Sequence, residues 1–258
     1  MHILRNARLL LLILCLAGCG ATAVRSGPQP PVVLDTGAYR SSIRTDPSRA
    51  LLDLRGQLPS ARLDIRYATP GNFMHRVLYP RPDAWLRRPA AVALARVVED
   101  LRTNGLGLIV FDAYRPYSVT REMWDAIHDD RFVADPAKGS RHNRGCAVDV
   151  SLYDLASAKE LEMPTGYDDF TTRAAQNAPD VTATAARNRE LLRDTMHRHG
   201  FDPLASEWWH YDFTGWKDYE LLDVPFEDLR GSVSLTGLVG RLEAAEFKYT
   251  TTSHCRHH

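Results

Sequence analysis

The sequence has few of the features that characterise nucleic-acid-binding proteins or disulfide-stabilised scaffolds. Lysine and arginine together number 32, as do aspartate and glutamate, so the formal net charge is zero. The basic residues are scattered rather than clustered, and we therefore expect no nucleic acid partner. Four cysteines in 258 residues are too few for a disulfide-rich scaffold. What is present, 44% hydrophobic and 25% charged residues, is the composition of a globular protein.

An apolar run near the N-terminus, Leu9–Leu16, follows two arginines. It is too short to span a bilayer and has the form of the hydrophobic region of a signal peptide. It ends in "LAGC", which resembles the lipobox of bacterial lipoproteins, so we predict a signal peptide over 1–18 and lipidation of Cys19. A plain signal peptide and an uncleaved anchor are the alternatives. Gly20 stands where an inner-membrane retention signal usually has aspartate, so we expect an exported, periplasmic or cell-envelope lipoprotein anchored in the outer membrane.

Composition divides the rest of the chain into a tether, one domain and a tail. Residues 19–49 are rich in proline, glycine, serine and arginine, which predicts a flexible tether. Residues 50–228 are long enough for one good-sized domain. The tail, 229–258, ends in a cysteine and histidine cluster that could bind metal, but we expect a poorly ordered end. We expect no disulfide between Cys146 and Cys255, because the first lies in an apolar strand and the second in this tail.

Hydrophobic periodicity predicts an α+β fold. Between Pro89 and Gly105 the apolar residues recur at the spacing of one helix face, and the two end residues suit a helix start and stop. Helices and strands are mixed without strict alternation, so we expect a single domain with a central, mainly antiparallel sheet flanked by helices. The further predicted elements are helices over 116–130 and 182–200 and strands over 106–114, 146–154 and 206–213.

The stretch "SRHNRGCAVD" places a histidine and an aspartate, His142 and Asp149, seven residues apart. Gly145 lets the backbone turn sharply before the predicted strand, so that His142 can fold back beside Asp149. Strand alternation puts Asp149 on the face opposite Cys146, which removes the thiol from any site here. Taken alone, a hydrogen-bonded surface pair is the simpler interpretation.

The stretch "SEWWHYDF" adds Glu207 and His210. On a flat strand these two would point to opposite faces, so they meet only if the backbone bends or bulges. Arg115 follows a buried strand and precedes a helix, where a side chain can project into a cleft. Two histidines and one carboxylate match a catalytic zinc site with a position left for water. A second carboxylate can move protons, and a fixed cation can stabilise an oxyanion, so the set predicts a metal-dependent amide hydrolase.

At these residues the chain resembles the zinc D,D-peptidases. "SRHNRGCAVD" is similar to their S-x-H-x-x-G-x-A-x-D signature and "EWWH" to their E-x-x-H signature. The segments "DIRYATPGNF", "FDAYRP" and "GFDPLASEWWHYDF" resemble the D-alanyl-D-alanine dipeptidase branch in order. The resemblance covers roughly residues 50–226 and is poor in detail between Phe170 and Arg187. The fold that it implies is α+β with a central antiparallel sheet.

The resemblance also implies a role for each matching residue. It implies one zinc ion per chain, bound by His142, Asp149 and His210. It implies Glu207 as the general base and Arg115 as the cation that stabilises the transition state. Matching positions that line or support the small substrate pocket are Tyr67, Asp112, Ser140 and Trp208.

The activity so implied is zinc-dependent hydrolysis of D-alanyl-D-alanine to two D-alanines, with Glu207 deprotonating the activated water. One alternative is a D,D-carboxypeptidase or endopeptidase that acts on peptidoglycan stem peptides in a more open groove. Another is a metal-stabilised binding module without hydrolysis, which would need loss of the base or of the arginine. Glu207 and Arg115 are both present, which favours an enzyme. As partners we expect the small D,D-dipeptide and, through the lipid, a membrane, with no obligate protein partner.

Overall fold

The computed structural model describes residues 32–33, 36–55, 58 and 60–230. The strands are β1 (Val32–Val33), β2 (Leu51–Asp53), β3 (Ala61–Leu63), β4 (Trp85–Arg87), β5 (Leu106–Asp112), β6 (Ala147–Asp154), β7 (Phe201–Pro203), β8 (His210–Phe213) and β9 (Leu221–Leu222). The helices are α1 (Thr36–Thr45), α2 (Arg88–Thr103), α3 (Tyr117–Ile127), α4 (Ala183–Arg198) and α5 (Phe226–Leu229).

The central sheet confirms the predicted α+β class. It has five strands in the order β3-β5-β6-β8-β7, and every neighbouring pair is antiparallel except β3 with β5. Two small sheets, β1 with β9 and β2 with β4, have two strands each. The long β5 and β6 form the middle of the main sheet, where residues on both faces are withdrawn from solvent.

Helices α2 and α4 contact the sheet and each other. The predicted helix after Pro89 is present and begins one residue before it. Its apolar face, including Leu94 and Val97, is fully buried in the hydrophobic core. The helix ends before Gly105, whose φ of +74° is the left-handed conformation that commonly terminates a helix.

Strand β6 separates the hydrophobic core from a polar face of the sheet. Its even-numbered residues from 148 to 152 are aliphatic and belong to the core, so Asp149 lies on the other face. Across β8, Asp149 is directly opposite His210. Across β5 it is opposite Asp112, beyond a register shift that interrupts the ladder. The sheet therefore brings three polar side chains from three adjacent strands into one row.

The folded part of the chain begins earlier than its composition predicts. Helix α1 lies inside the predicted tether, and its Tyr39 is 1% exposed. The Tyr39 hydroxyl accepts a hydrogen bond of 2.7 Å from the backbone N–H of Leu51. The prediction of a flexible tether is therefore wrong for residues 36–49, because one buried aromatic residue fixes an otherwise polar helix. At the other end Leu229 is buried, so the folded part extends past residue 228.

The predicted signal peptide, Cys19 and the tail from residue 231 lie outside the described residues, as does Cys255. In the part that is described, no helix combines the length and apolar character needed to cross a bilayer. Cys146 is a buried free thiol. Burial raises its pKa to about 12, which keeps the thiol protonated at neutral pH, and Cys146 is not among the clustered candidate metal ligands.

Candidate metal centre and active site

The three predicted metal ligands lie together on the polar face of the sheet. His142 Nε2 is 3.2 Å from His210 Nδ1 and 3.3 Å from Asp149 Oδ1. His210 Nδ1 is 3.0 Å from the same Asp149 oxygen. All three residues are buried, and their donor atoms lie within 4.8 Å of one another. Two imidazole nitrogens and one carboxylate oxygen are the donor set of a catalytic zinc site with room for water, so the residues fit this metal.

A hydrogen bond holds each of these side chains at the polar atom that is not one of the clustered donor atoms. Such bonds fix the orientation of a metal ligand and, for histidine, the nitrogen that faces the metal. They leave Nε2 of His142 and Nδ1 of His210 directed toward Asp149. The bonds are His142 Nδ1 to the Ala113 carbonyl at 2.7 Å, His210 Nε2 to Asp212 Oδ1 at 3.0 Å, and the Tyr167 hydroxyl to Asp149 Oδ2 at 2.8 Å.

The contacts between Asp149 and His210 shift the pKa of each residue in opposite directions. Burial alone would raise the pKa of Asp149, but the adjacent His142 and His210 lower it. Burial alone would lower the pKa of His210, but its hydrogen bonds to Asp149 and Asp212 raise it. Because a metal binds the neutral imidazole, the raised pKa of His210 means that metal binding should weaken as the pH falls.

A tight turn places His142 against the start of β6. Residues 142–144 form a single 3-10 turn, and Gly145 follows it with φ of +67°. The His142 carbonyl accepts hydrogen bonds from the backbone N–H groups of Gly145 and Arg115, at 3.0 and 3.1 Å. Gly145 is thus the turn residue that the sequence predicts, and it connects the metal ligand to the segment that carries Arg115.

Replacing Gly145 with alanine is expected to destabilise the fold strongly. The added Cβ would lie 2.4 Å from Leu51 Cδ2, in addition to the strain of a positive φ. Gly105→Ala is the matched control, since its φ is +74° and nothing lies within 4 Å of the added atom. We expect Gly105→Ala to cost about 1–2 kcal/mol and Gly145→Ala about 1–3 kcal/mol more. Urea unfolding of the chelator-treated proteins measures both, and equal costs would contradict this account.

Glu207 reaches the metal ligands because the chain turns before β8. The segment predicted as a strand from residue 206 is a turn until His210, and the Glu207 N–H donates to the Leu204 carbonyl at 3.2 Å. Glu207 Oε2 then lies 3.9 Å from His210 Nδ1. The backbone therefore has the bend that Glu207 and His210, three residues apart, need in order to reach the same site. Burial raises the pKa of Glu207, which brings its proton affinity nearer to neutral pH.

Arg115 is a buried cation fixed by a buried carboxylate. Its Nε and Nη2 donate to Asp112 Oδ2 at 3.1 and 2.8 Å, and the Tyr79 hydroxyl donates to the other Asp112 oxygen at 2.7 Å. The guanidinium carbon lies 5.1 Å from the ring centre of Tyr67. Arg115 is therefore oriented by Asp112 and Tyr67, and 9% of its side chain is exposed, at the cavity.

A cavity of about 600 Å³ contains the three ligands together with Glu207 and Arg115. Of the residues predicted to line or support the pocket, Tyr67 and Ser140 line it, whereas Asp112 only supports Arg115. Trp208 does not line the cavity. It is 1% exposed and its indole N–H donates to Thr165 Oγ1 at 2.9 Å, while its neighbour Trp209 lines the cavity. Of the two roles that the resemblance allows, lining or supporting the pocket, Trp208 therefore does not have the first, because the turn before β8 brings Trp209 to the cavity wall instead.

The sequence interpretation missed Asp168, a carboxylate on the cavity wall. The Tyr67 hydroxyl donates to its Oδ1 at 3.2 Å, and its Oδ2 has no hydrogen-bond partner among the described residues. Burial, followed by the charge of Asp149, raises the pKa of Asp168 to about 8. Its φ of +60° is a left-handed conformation that costs a non-glycine residue about 1–3 kcal/mol and concentrates at functional sites. A carboxylate in such a setting is suited to a cationic ligand group.

Asp212 was also missed, although a signal for it exists. In a strand, residues two apart share a face, so "HYD" places Asp212 on the side of His210. Asp168 had a weaker signal, two consecutive acids between aromatic residues in "GYDDF" just before the poorly matching segment.

Comparison with known proteins gives one family. The family model described as D-ala-D-ala dipeptidase, Peptidase M15, matches residues 47–228. A D-alanyl-D-alanine dipeptidase of Escherichia coli (strain K12) is 34% identical over 172 residues, which cover 67% of this chain and 89% of that relative. The enzyme of the same name from Enterococcus faecalis is 28% identical over 204 residues, covering 69% of this chain and 94% of the relative. A solved structure of the vancomycin resistance D,D-pentapeptidase VanY in complex with Zn(II) is 18% identical, with a TM-score of 0.34, and covers 66% of this chain and 89% of that one.

Proposed function

The chain belongs to the D-alanyl-D-alanine dipeptidase family of metallopeptidases, and from this premise we propose that it hydrolyses free D-alanyl-D-alanine with one zinc ion. The observation that carries the proposal is the convergence of His142, Asp149 and His210 in a cavity. Glu207 and Arg115 line the same cavity. The binding-module alternative would require loss of one of these two residues, and both are in place.

The proposed chemistry divides between the metal and the residues around it. Zinc in such a site supplies a Lewis acid that acidifies water and polarises the scissile carbonyl. Glu207 takes the proton of the attacking water and then gives it to the nitrogen of the leaving D-alanine. Arg115, held by Asp112, stabilises the negative charge that develops on the carbonyl oxygen. Because Arg115 is already oriented, little reorganisation accompanies the reaction.

Asp168 supplies the recognition of the substrate's free ammonium group. A dipeptide zwitterion carries a positive charge next to its first Cα, and Asp168 has unused acceptor capacity at the cavity wall. The ammonium would stabilise the ionised carboxylate, against the burial that raises the pKa of Asp168. This feature favours the dipeptidase over the carboxypeptidase alternative, because the corresponding nitrogen of a stem peptide is an uncharged amide.

Replacing Asp168 with asparagine is expected to raise KM for D-alanyl-D-alanine by roughly 10- to 100-fold, with a smaller effect on kcat. The physical reason is the loss of an ion pair in a site shielded from water. Steady-state kinetics at pH 7 measures it. N-acetyl-D-alanyl-D-alanine is the matched control substrate, since it lacks the ammonium and should respond little to the substitution. An unchanged KM for the free dipeptide would remove Asp168 from substrate recognition.

The substrate comparison decides between the two enzymatic alternatives. The zinc-loaded protein is given free D-alanyl-D-alanine and a peptidoglycan pentapeptide that ends in the same two residues, and released D-alanine is measured. The proposal predicts a larger kcat/KM for the dipeptide. A larger value for the pentapeptide would favour the D,D-carboxypeptidase.

A further inference from the structure

Three arginines among the described residues line the cavity, and two of them are committed to carboxylates. Arg115 donates through two nitrogens to Asp112. Arg131, which is 74% exposed at the rim, donates through two nitrogens to Asp129. Arg141 is different, because neither of its Nη atoms forms a hydrogen bond with any residue that the structure describes. It is therefore the cavity arginine with a free donor edge.

The guanidinium of Arg141 is nevertheless held in place. Its Nε lies 3.4 Å from Asp212 Oδ2, and its central carbon lies 4.8 Å from the ring centre of Trp216. The side chain is 42% exposed. An aromatic face and a carboxylate on the Nε side restrain the plane of the group and leave the two amino groups available. An arginine side chain held in this way can donate two parallel hydrogen bonds from its amino groups to a carboxylate.

Arg141 and Asp168 are connected to different metal ligands. Asp168 is connected to Asp149 through the hydroxyls of Tyr67 and Tyr167. Arg141 is connected to His210 through Asp212, whose other oxygen bonds His210 Nε2. The anionic and the cationic group of the cavity wall are thus linked to different metal ligands, an arrangement that suits the two charged ends of a dipeptide whose scissile bond lies at the metal centre.

The surroundings of Arg141 add positive charge. Arg144 and Lys217 also lie near the Trp216 ring, at 5.4 and 5.6 Å from its centre. Clustered cations beside Arg141, which lines the cavity, favour an anion near its amino groups.

We propose that Arg141 binds the C-terminal carboxylate of the dipeptide and makes a free carboxylate a requirement of the substrate. This assignment rests on the proposed function, in which the peptide bond lies between the ammonium at Asp168 and the carboxylate at Arg141. Ser140 precedes Arg141 in the chain and also lines the cavity. The turn before β6 therefore carries Arg141 directly before the metal ligand His142. Arg141 would therefore restrict hydrolysis to peptides in which the residue after the scissile bond is the last one and carries a free carboxylate.

The test compares D-alanyl-D-alanine with its C-terminal amide. For the wild-type protein we expect kcat/KM to be about 10- to 100-fold higher for the free acid. Arg141→Met should lower kcat/KM for the acid by that factor, mainly through KM, and leave the amide nearly unchanged. Arg141→Lys should restore part of the difference, because it keeps the charge and loses the pair of parallel hydrogen bonds. Arg102→Met, at an exposed arginine of α2 that is paired with Glu99 and does not line the cavity, is the matched control and should leave the hydrolysis of both substrates unchanged.

Equilibrium binding separates this assignment from the proposed function. In the zinc-loaded Glu207→Gln protein, calorimetry gives the dissociation constants of acid and amide whether or not the chain turns over. A preference for the acid that Arg141→Met removes supports the assignment. An equal loss for acid and amide, or no loss for either, overturns it. Failure of the wild-type protein to release D-alanine, with this binding preference intact, would count against the proposed function alone.

Discussion

Replacing Glu207 with glutamine is expected to lower kcat for D-alanyl-D-alanine by roughly 10³-fold while zinc binding is retained. Glutamine preserves the size of the side chain but cannot take a proton from water or return it to the leaving amine. Glu207 lies 3.9 Å from His210 Nδ1, close enough to reach a molecule in the cavity without being one of the three clustered ligands. The measurement combines steady-state kinetics with metal analysis of the same sample.

The control for this substitution is Glu190→Gln on the exposed side of α4. It makes the same chemical change away from the cavity and should leave kcat unchanged. Normal turnover by Glu207→Gln would remove the residue from the mechanism. A variant that lost zinc together with activity would instead make Glu207 a determinant of metal binding.

Replacing His142 with alanine is expected to abolish both zinc binding and turnover. The substitution deletes one of three ligand atoms and also the hydrogen bond to the Ala113 carbonyl. Loss of an outer hydrogen-bond partner alone typically costs 10- to 100-fold in metal affinity, so loss of a ligand should weaken zinc binding by more than about 100-fold. Competition with a chromophoric chelator gives the dissociation constant of zinc.

His197→Ala is the matched control for His142→Ala. His197 is on α4, its side chain is 70% exposed, and its neighbour is Asp202 at 3.4 Å. We expect zinc affinity and turnover to match the wild-type protein. If His142→Ala bound zinc as tightly as this control, the three-residue metal centre would be wrong.

The fold could be predicted where hydrophobic periodicity is strong. Helix α2 and strands β5 and β6 carry continuous apolar patterns, and their observed bounds differ from the predicted ones by one or two residues. Helix α1 could not be predicted in this way. Its composition is polar, and Tyr39 anchors it by burial and by a hydrogen bond to Leu51, a contact between separate segments that no local pattern shows.

The residues of the candidate site also differ in whether a local sequence pattern could predict them. His142, Asp149, Glu207 and His210 stand in short motifs with fixed spacing. The sheet register pairs Asp149 with His210, and the turns before β6 and β8 bring His142 and Glu207 to them. The walls of the cavity come from loops between the motifs, whose positions depend on packing across the whole domain. Asp168 was missed for this reason.

The orientation of two consecutive aromatic residues could not be predicted from the sequence either. Alternation predicts which of two neighbours faces a site only where the backbone is a regular strand. Trp208 and Trp209 lie in the turn before β8, so Trp209 faces the cavity and Trp208 packs against Thr165. Recognition of the turn in the sequence would have been needed to assign them correctly.

The central claim is that one zinc ion in the His142, Asp149 and His210 centre enables hydrolysis of D-alanyl-D-alanine. The most direct measurement is D-alanine release by the full-length protein as purified, after removal of metal with a chelator, and after titration with Zn²⁺. The account predicts that activity disappears with the metal and returns in proportion to added zinc, up to one equivalent per chain. Full activity of the metal-free protein, or no D-alanine release from protein loaded with one equivalent of zinc, would contradict it.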